Sequence, residues 1–255
     1  MLDAHMHGHE HTADWGIRPI LFSVGDIHIQ SYAFFVMLGL IIGITVAYFY
    51  SKKQHKNKYM FEIVLAAIVG GVIGAKLPIW IFYAPQIIES FPDIDMILSG
   101  RTIVGGLIGG TIAVWLLKNK LGLKIRLGNA IVPGVVVGIA IGRVGCFLRG
   151  CCYGVQTDLP WGVDFGDGVM RHPTQIYEII FLVIMFFWVN LKLKKDPKDG
   201  KIFDIFMIAY FSYRFVVEFI RVEPQIFLHL TMFQWLSMGI VVYFIFIKQK
   251  IFLSQ

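Results

Sequence analysis

Charge is what this chain has least of. Asp, Glu, Lys and Arg make up 16% of its 255 residues, while 56% are hydrophobic. A soluble domain is roughly a quarter charged and about half apolar, so this scarcity excludes an ordinary soluble globular protein. The start of the chain is acidic and His-rich and lacks the basic n-region and small-residue cleavage site of a secretory leader, so none is expected. Cysteine is confined to Cys146, Cys151 and Cys152, and that spacing matches no common zinc pattern, so no metal ligands and no cofactor are assigned. The net charge of +6 is the one figure that would suggest nucleic acid. Cytoplasmic loops of membrane proteins are rich in Lys and Arg, which accounts for it without a nucleic-acid partner.

What the chain does have is apolar runs of about 20 residues, the length that crosses a bilayer. They fall at about 30–50, 61–83, 103–117, 128–147, 174–191, 202–221 and 230–247. The fold class expected is all-α: a polytopic membrane bundle of about seven transmembrane helices. The segments after the first, third and fifth runs, with the C-terminus, hold fifteen Lys and Arg. The opposite side holds five, all of them Arg. That asymmetry puts the N-terminus outside and the C-terminus in the cytoplasm. The division expected is an extracytoplasmic segment 1–28, a seven-helix domain 29–250 and a cytoplasmic tail 251–255. His5, His7, His9 and His11 read either as part of a solvated tail or as a loose divalent-metal site. Gly25-Asp26 reads as a turn leading to the membrane.

Residues 142–154 stand out. Two arginines, three cysteines and four glycines follow directly on an apolar run. An ionisable group in or at the mouth of a span is costly and points to function. With the orientation above, Arg143 lies near the outer end of the fourth span. Gln175 and Glu178 lie near the outer end of the fifth, and Arg214, Glu218 and Arg221 in the outer half of the sixth. Tyr210, Arg214, Glu218 and Arg221 are spaced to share one helix face. A structural alternative is simple ion pairing, Arg143 with Glu178 and Arg214 with Glu218. Against it, three or more buried cations exceed what the nearby carboxylates require. Arg suits phosphate, being a planar fork that stays charged. The set therefore reads as a phospholipid headgroup site open to the outer leaflet. His172 is either an acid/base near neutral pH or a backbone-bonding residue. The three cysteines can be metal ligands, a disulfide pair, a nucleophile beside cations, or small packing residues in a tight turn.

Several stretches together resemble the prolipoprotein diacylglyceryl transferase family. They are Gly105-Gly106-Leu107-Ile108-Gly109-Gly110, Gly142-Arg143-Val144-Gly145 with Gly154, Arg171-His172-Pro173-Thr174-Gln175-Ile176-Tyr177-Glu178, and Tyr210, Arg214-Phe215, Glu218-Phe219 and Arg221. Gln234 with Leu236-Ser237 extends the likeness, which covers about 20–238. The resemblance implies transfer of the diacylglyceryl group of phosphatidylglycerol, or of a related anionic phospholipid, to a cysteine thiol. The acceptor implied is a lipobox-containing prolipoprotein or another thiol, at the outer face of a bacterial cytoplasmic membrane. It implies catalytic roles for Arg143, Arg214, His172 and Glu178. Substrate contacts are implied for Tyr32, Gly105, Gly106, Gly145, Gly154, Arg171, Gln175, Tyr210, Glu218 and Arg221. Three positions depart from the family pattern. Val104 replaces a His, Cys146 an Asn, and Cys151 a Glu, so the general base must come from His172, Glu178, Glu218 or a cysteine. The competing class is a non-catalytic, metal-handling or transport membrane protein on the same scaffold.

Overall fold

The computed structural model describes residues 17–53, 58–82, 84, 102–123, 127–195 and 201–247. The His run and the tail after 247 lie outside these, as does most of the acidic loop between the second and third runs. Among the described residues seven helices fall on the seven apolar runs. They are α1 (Ser31–Lys53), α2 (Met60–Phe82), α3 (Ile103–Lys120), α4 (Gly128–Arg149), α5 (Thr174–Lys195), α6 (Lys201–Val217) and α7 (Met232–Val242). Four of them, α1, α2, α4 and α5, are long and apolar enough to cross a membrane. At 1.5 Å per residue they span roughly 33 Å, against a hydrocarbon core of about 30 Å. The sixth run is shorter as an α-helix than the sequence suggests, because a 3₁₀ turn, Glu218–Ile220, takes over its end. The seventh continues as a π-helical turn, Tyr243–Ile247.

The chain is mostly helical, in line with the all-α class expected, and its loops add short strands. Three antiparallel ribbons form: β1 (Ile20–Val24) with β2 (Ile27–Gln30), β3 (Val163–Asp164) with β4 (Met170–Arg171), and β5 (Gln225–Phe227) with β6 (Leu230–Thr231). Strands this short carry too few residues for a two-residue period to stand out. Their turns are made by residues at positive φ, Gly25 in the first, Gly166 and Gly168 in the second, and Leu228 and His229 in the third. The Gly25-Asp26 turn is thus where the sequence puts it. The first ribbon is anchored where it leads into α1: Ser31 donates its amide to Pro19 and Arg18 its amide to Leu148, each at 2.8 Å.

The chain divides into two compact units, 1–54 with 127–255, and 55–126. In the first, α1 packs on α4, α5 on α4, and α7 on α6. The α1–α4 contact is backbone on backbone. A Cβ added at Gly39 would lie 2.6 Å from the Gly138 carbonyl, and one at Gly43 2.8 Å from that of Gly134. Lipid tails are as apolar as leucine, so helices in a bilayer gain by such close packing rather than by burial from water. Asn129 at the start of α4 accepts the Ile202 amide of α6 at 3.2 Å, and Tyr50 of α1 donates to Asn190 of α5. In the second unit α2 packs on α3 in the same manner, Gly70 and Gly74 against Gly109 and Gly105. Thr102 caps α3 by accepting the Gly105 amide at 3.1 Å.

Candidate active site

The charges near the C-terminal ends of α4 and α6 and the N-terminal end of α5 form one buried chain. Arg143 Nη2 lies 2.7 Å from Glu178 Oε2, and Arg214 Nη1 reaches the same oxygen at 3.5 Å. Arg214 Nη2 is 2.9 Å from Glu218 Oε2, which Arg221 Nε approaches at 3.6 Å. Arg221 Nη2 ends the chain on Glu223 at 3.0 Å. Tyr210 donates to Glu178 Oε1 at 2.8 Å, and Thr231 to Glu218 Oε1 at 3.4 Å. Arg143 and Arg214 are each 5% exposed and both glutamates 1%, so the charges are out of contact with solvent. Unpaired charges at that depth are untenable, and the alternation of sign is what makes the cluster possible.

The excess of cations argued from the sequence is corrected here. Arg143, Arg214 and Arg221 have one carboxylate each, and the third is Glu223, which lies beyond the helical face that drew attention to the others. Extended backbone at Arg221 carries the chain out of the 3₁₀ turn and brings Glu223 back beside it. The Arg143–Glu178 and Arg214–Glu218 pairs weighed as the structural alternative both exist. Yet the guanidiniums are not used up. The Nε atoms of Arg143, Arg214 and Arg221 are buried without a hydrogen-bond partner.

The segment after α4 is tied to this chain. Gly150 ends the helix in the left-handed conformation with φ 73°, and Cys152 follows at φ 67°. The Cys152 carbonyl accepts from Arg221 Nη1 at 3.2 Å and from the Thr174 hydroxyl, and the Cys151 carbonyl from the Gln175 side chain. Gln175 is wholly buried, and its Oε1 has no hydrogen-bond partner. Gly154 then passes between two other segments. Its amide donates to the His172 carbonyl at 2.8 Å, and an added Cβ would strike the Ile220 carbonyl. Gly145 allows the same closeness to α1, where a Cβ would sit 2.8 Å from that of Phe35. The three cysteine sulfurs lie within 4.8 Å of one another. The Cys152 thiol is held well below its usual range by hydrogen bonds with Cys146 and Cys151, with Arg221 and Arg143 adding to the effect against burial.

Other residues singled out in the sequence stand apart from the chain. His172 Nδ1 faces the Tyr177 hydroxyl at 3.1 Å, which also accepts from Trp161 Nε1 at 2.9 Å. None of the described contacts of His172 reaches Glu178 or Glu218. Arg171 pairs with Asp167 at 2.6 Å and lies over the Tyr153 ring. Burial raises the Asp167 carboxyl, but the hydrogen bond and charge of Arg171 and the Val169 amide hold it below its usual value. Tyr32 carries the Arg149 guanidinium 5.3 Å above its ring. Gly105 and Gly106 belong to the second unit, where they face Gly74 and Gly71 across the α2–α3 contact. The sequence reading missed Thr231, whose hydroxyl both caps α7 and reaches Glu218. The signal was present, since Thr231-x-x-Gln234 is a capping-box pattern before an apolar run.

A mostly helical protein, four of whose helices are long and apolar enough to cross a membrane, with a buried arginine–glutamate chain, is the class that fold and site define. A family model described as prolipoprotein diacylglyceryl transferase matches residues 19–248. Among similar proteins is the phosphatidylglycerol–prolipoprotein diacylglyceryl transferase of Clostridium tetani, 32% identical over 217 residues, covering 82% of this chain and 87% of the relative. The protein of that name from Bordetella parapertussis is 30% identical, covering 88% and 92%. That from Wolbachia sp. subsp. Brugia malayi is 31% identical, covering 92% and 97%. The chain belongs to the prolipoprotein diacylglyceryl transferase family.

Proposed function

We propose that this protein moves the diacylglyceryl group of phosphatidylglycerol onto the cysteine thiol of a lipobox-bearing prolipoprotein. It does so from a seven-span domain of the bacterial cytoplasmic membrane, N-terminus outside, with the site open to the outer leaflet. The observation that carries the reading is the convergence of Arg143 and Arg214, from two helices, on a single carboxylate oxygen. Guanidiniums so arranged are already organised around an anion, and each keeps a spare Nε–H. Membership of the family supplies the reaction class.

The acceptor attacks as a thiolate. Its sulfur forms a bond to the terminal carbon of the diacylglyceryl group, and the carbon–oxygen bond to phosphate breaks. The electron pair leaves on the phosphate oxygen, so glycerol phosphate departs with one more negative charge than the lipid carried. Fixed donors aimed at a developing oxyanion in a dry site lower such a barrier. Arg143 and Arg214 take that role, Glu178 and Tyr210 hold them in register, and Glu218 with Thr231 places Arg221.

The test is direct. Purified protein in phosphatidylglycerol vesicles with a lipobox peptide should release one glycerol phosphate per thioether formed. It should also restore growth to a strain lacking its own diacylglyceryl transferase. Absence of release from phosphatidylglycerol and from other anionic phospholipids would overturn the reading. Release without rescue of the strain would assign a different thiol acceptor.

A further inference from the structure

The cysteines of this chain converge although they are far from any usual ligand spacing. Cys146 lies in the last turn of α4, and Cys151 and Cys152 are folded back on it by the left-handed residue Gly150. All three are free thiols, and their sulfurs lie within 4.8 Å of one another. No other cysteine occurs in the 255 residues.

Small buried thiols often do no more than fill space. Two observations argue for more. Cys152 adopts φ 67°, where a side chain is strained and glycine would serve the backbone better. Such strain persists where the surroundings fix it, and here three side chains hold the adjoining carbonyls: Thr174, Gln175 and Arg221. Charge is the second. Arg143 Nη1 lies 3.9 Å from Cys146 Sγ, so a cation already borders the sulfur cluster. Three thiolates and a divalent ion leave a net negative charge, which that guanidinium offsets.

We propose that Cys146, Cys151 and Cys152 bind one thiophilic d¹⁰ metal ion of the zinc(II) class through three thiolates, leaving a fourth coordination position open. A zinc–sulfur bond of about 2.3 Å places tetrahedrally arranged sulfurs about 3.8 Å apart, so the cluster needs to close only slightly. Three protein ligands with a fourth position open is the arrangement of zinc sites that activate a nucleophile.

A role follows that rests on the transferase reading. Both oxygens of Glu178 and both of Glu218 already face donors, and His172 is engaged by Tyr177. The acceptor thiol would take the open position as a thiolate, releasing its proton to water, and its sulfur would then attack the diacylglyceryl carbon. The metal site itself stands without that role.

The experiment uses full-length, reduced protein in which His5, His7, His9 and His11 are replaced by alanine, so that the tail cannot compete. Anaerobic titration with Co²⁺ should saturate at one ion per chain, with intense sulfur-to-metal charge-transfer bands that Zn²⁺ then displaces. Cys151→Ser and Cys152→Gly should each abolish the three-thiolate spectrum. Cys152→Gly, which relieves the backbone, should do so without lowering the melting temperature. No charge-transfer band in the parent protein, or one unchanged in Cys152→Gly, would overturn the site. A lipobox peptide should shift the bands and its Cys→Ser analogue should not. Failure of that shift alone overturns the nucleophile role. Bands without glycerol phosphate release from any anionic phospholipid overturn the transferase reading and leave the metal site standing.

Discussion

Glu178 Oε2 lies 2.7 Å from Arg143 Nη2, so a carboxylate of α5 neutralises a guanidinium of α4 with both buried. The same oxygen faces Arg214 of α6. One side chain therefore faces cations from two other helices. Glu178→Ala should destabilise the protein by about 3–5 kcal/mol, because it leaves the buried Arg143 without a counter-charge. Thermal unfolding in detergent checks this. Glu178→Gln, which keeps the shape and the Tyr210 contact, should still lose stability, since the charge and not the volume is what matters.

Arg143→Lys and Arg214→Lys test the phosphate role separately from folding. Lysine keeps the charge but loses the planar fork. Each should lower kcat by about 10²-fold, the order seen when one oxyanion donor is removed. KM for the acceptor peptide should stay within about twofold. An unchanged kcat for both variants would remove the arginines from the chemical step.

The glycine contacts sort substitutions by position rather than by type. A Cβ at Gly134 would strike the Gly43 carbonyl and lie 2.8 Å from that of Ala47, so Gly134→Ala must push α1 and α4 apart. The expected loss is about 1–3 kcal/mol. A Cβ at Gly142, two turns further on the same helix, would meet nothing within 4 Å. Gly142→Ala should leave stability unchanged or raise it by up to about 1 kcal/mol. Melting temperatures of the two variants, measured side by side, decide it.

Asp167 gives a pH signature. Its carboxyl is held below the usual value in the folded protein, so the stability it contributes is present above the unfolded pKa near 4 and is lost as pH falls through the folded one. The pair with Arg171 is partly open to solvent, so the effect should stay under about 1 kcal/mol. Asp167→Asn should lower the melting temperature slightly at pH 7, and the difference should shrink as pH falls below about 4. A difference that does not shrink with pH would assign the effect to the hydrogen bonds of the loop instead.

The seven helices were legible because apolar runs of bilayer length leave few alternatives, and α1 and α4 fall within a few residues of the runs that announce them. The pairs Arg143–Glu178 and Arg214–Glu218 were legible too, from helix ends meeting at one depth. Glu223 was not, because its approach depends on extended backbone after the 3₁₀ turn rather than on helical spacing. The ribbons escaped notice because two to five residues show no period. The three cysteines were weighed together as metal ligands among other readings, but spacing could not choose between these, because it presumes ordinary backbone and two left-handed residues, Gly150 and Cys152, fold a sparse pattern into a tight one.

The seam between α1 and α4 has a bearing on how a lipid arrives. Where the carbonyls of Gly134 and Gly138 rest directly on Gly43 and Gly39, no crevice of acyl-chain width remains. A phospholipid drifting in the plane of the membrane cannot slide its tails through that wall. If Arg143 holds the lipid phosphate as proposed, the route to it enters from another flank of α4, and a bulky probe tethered along α1 should leave that traffic undisturbed.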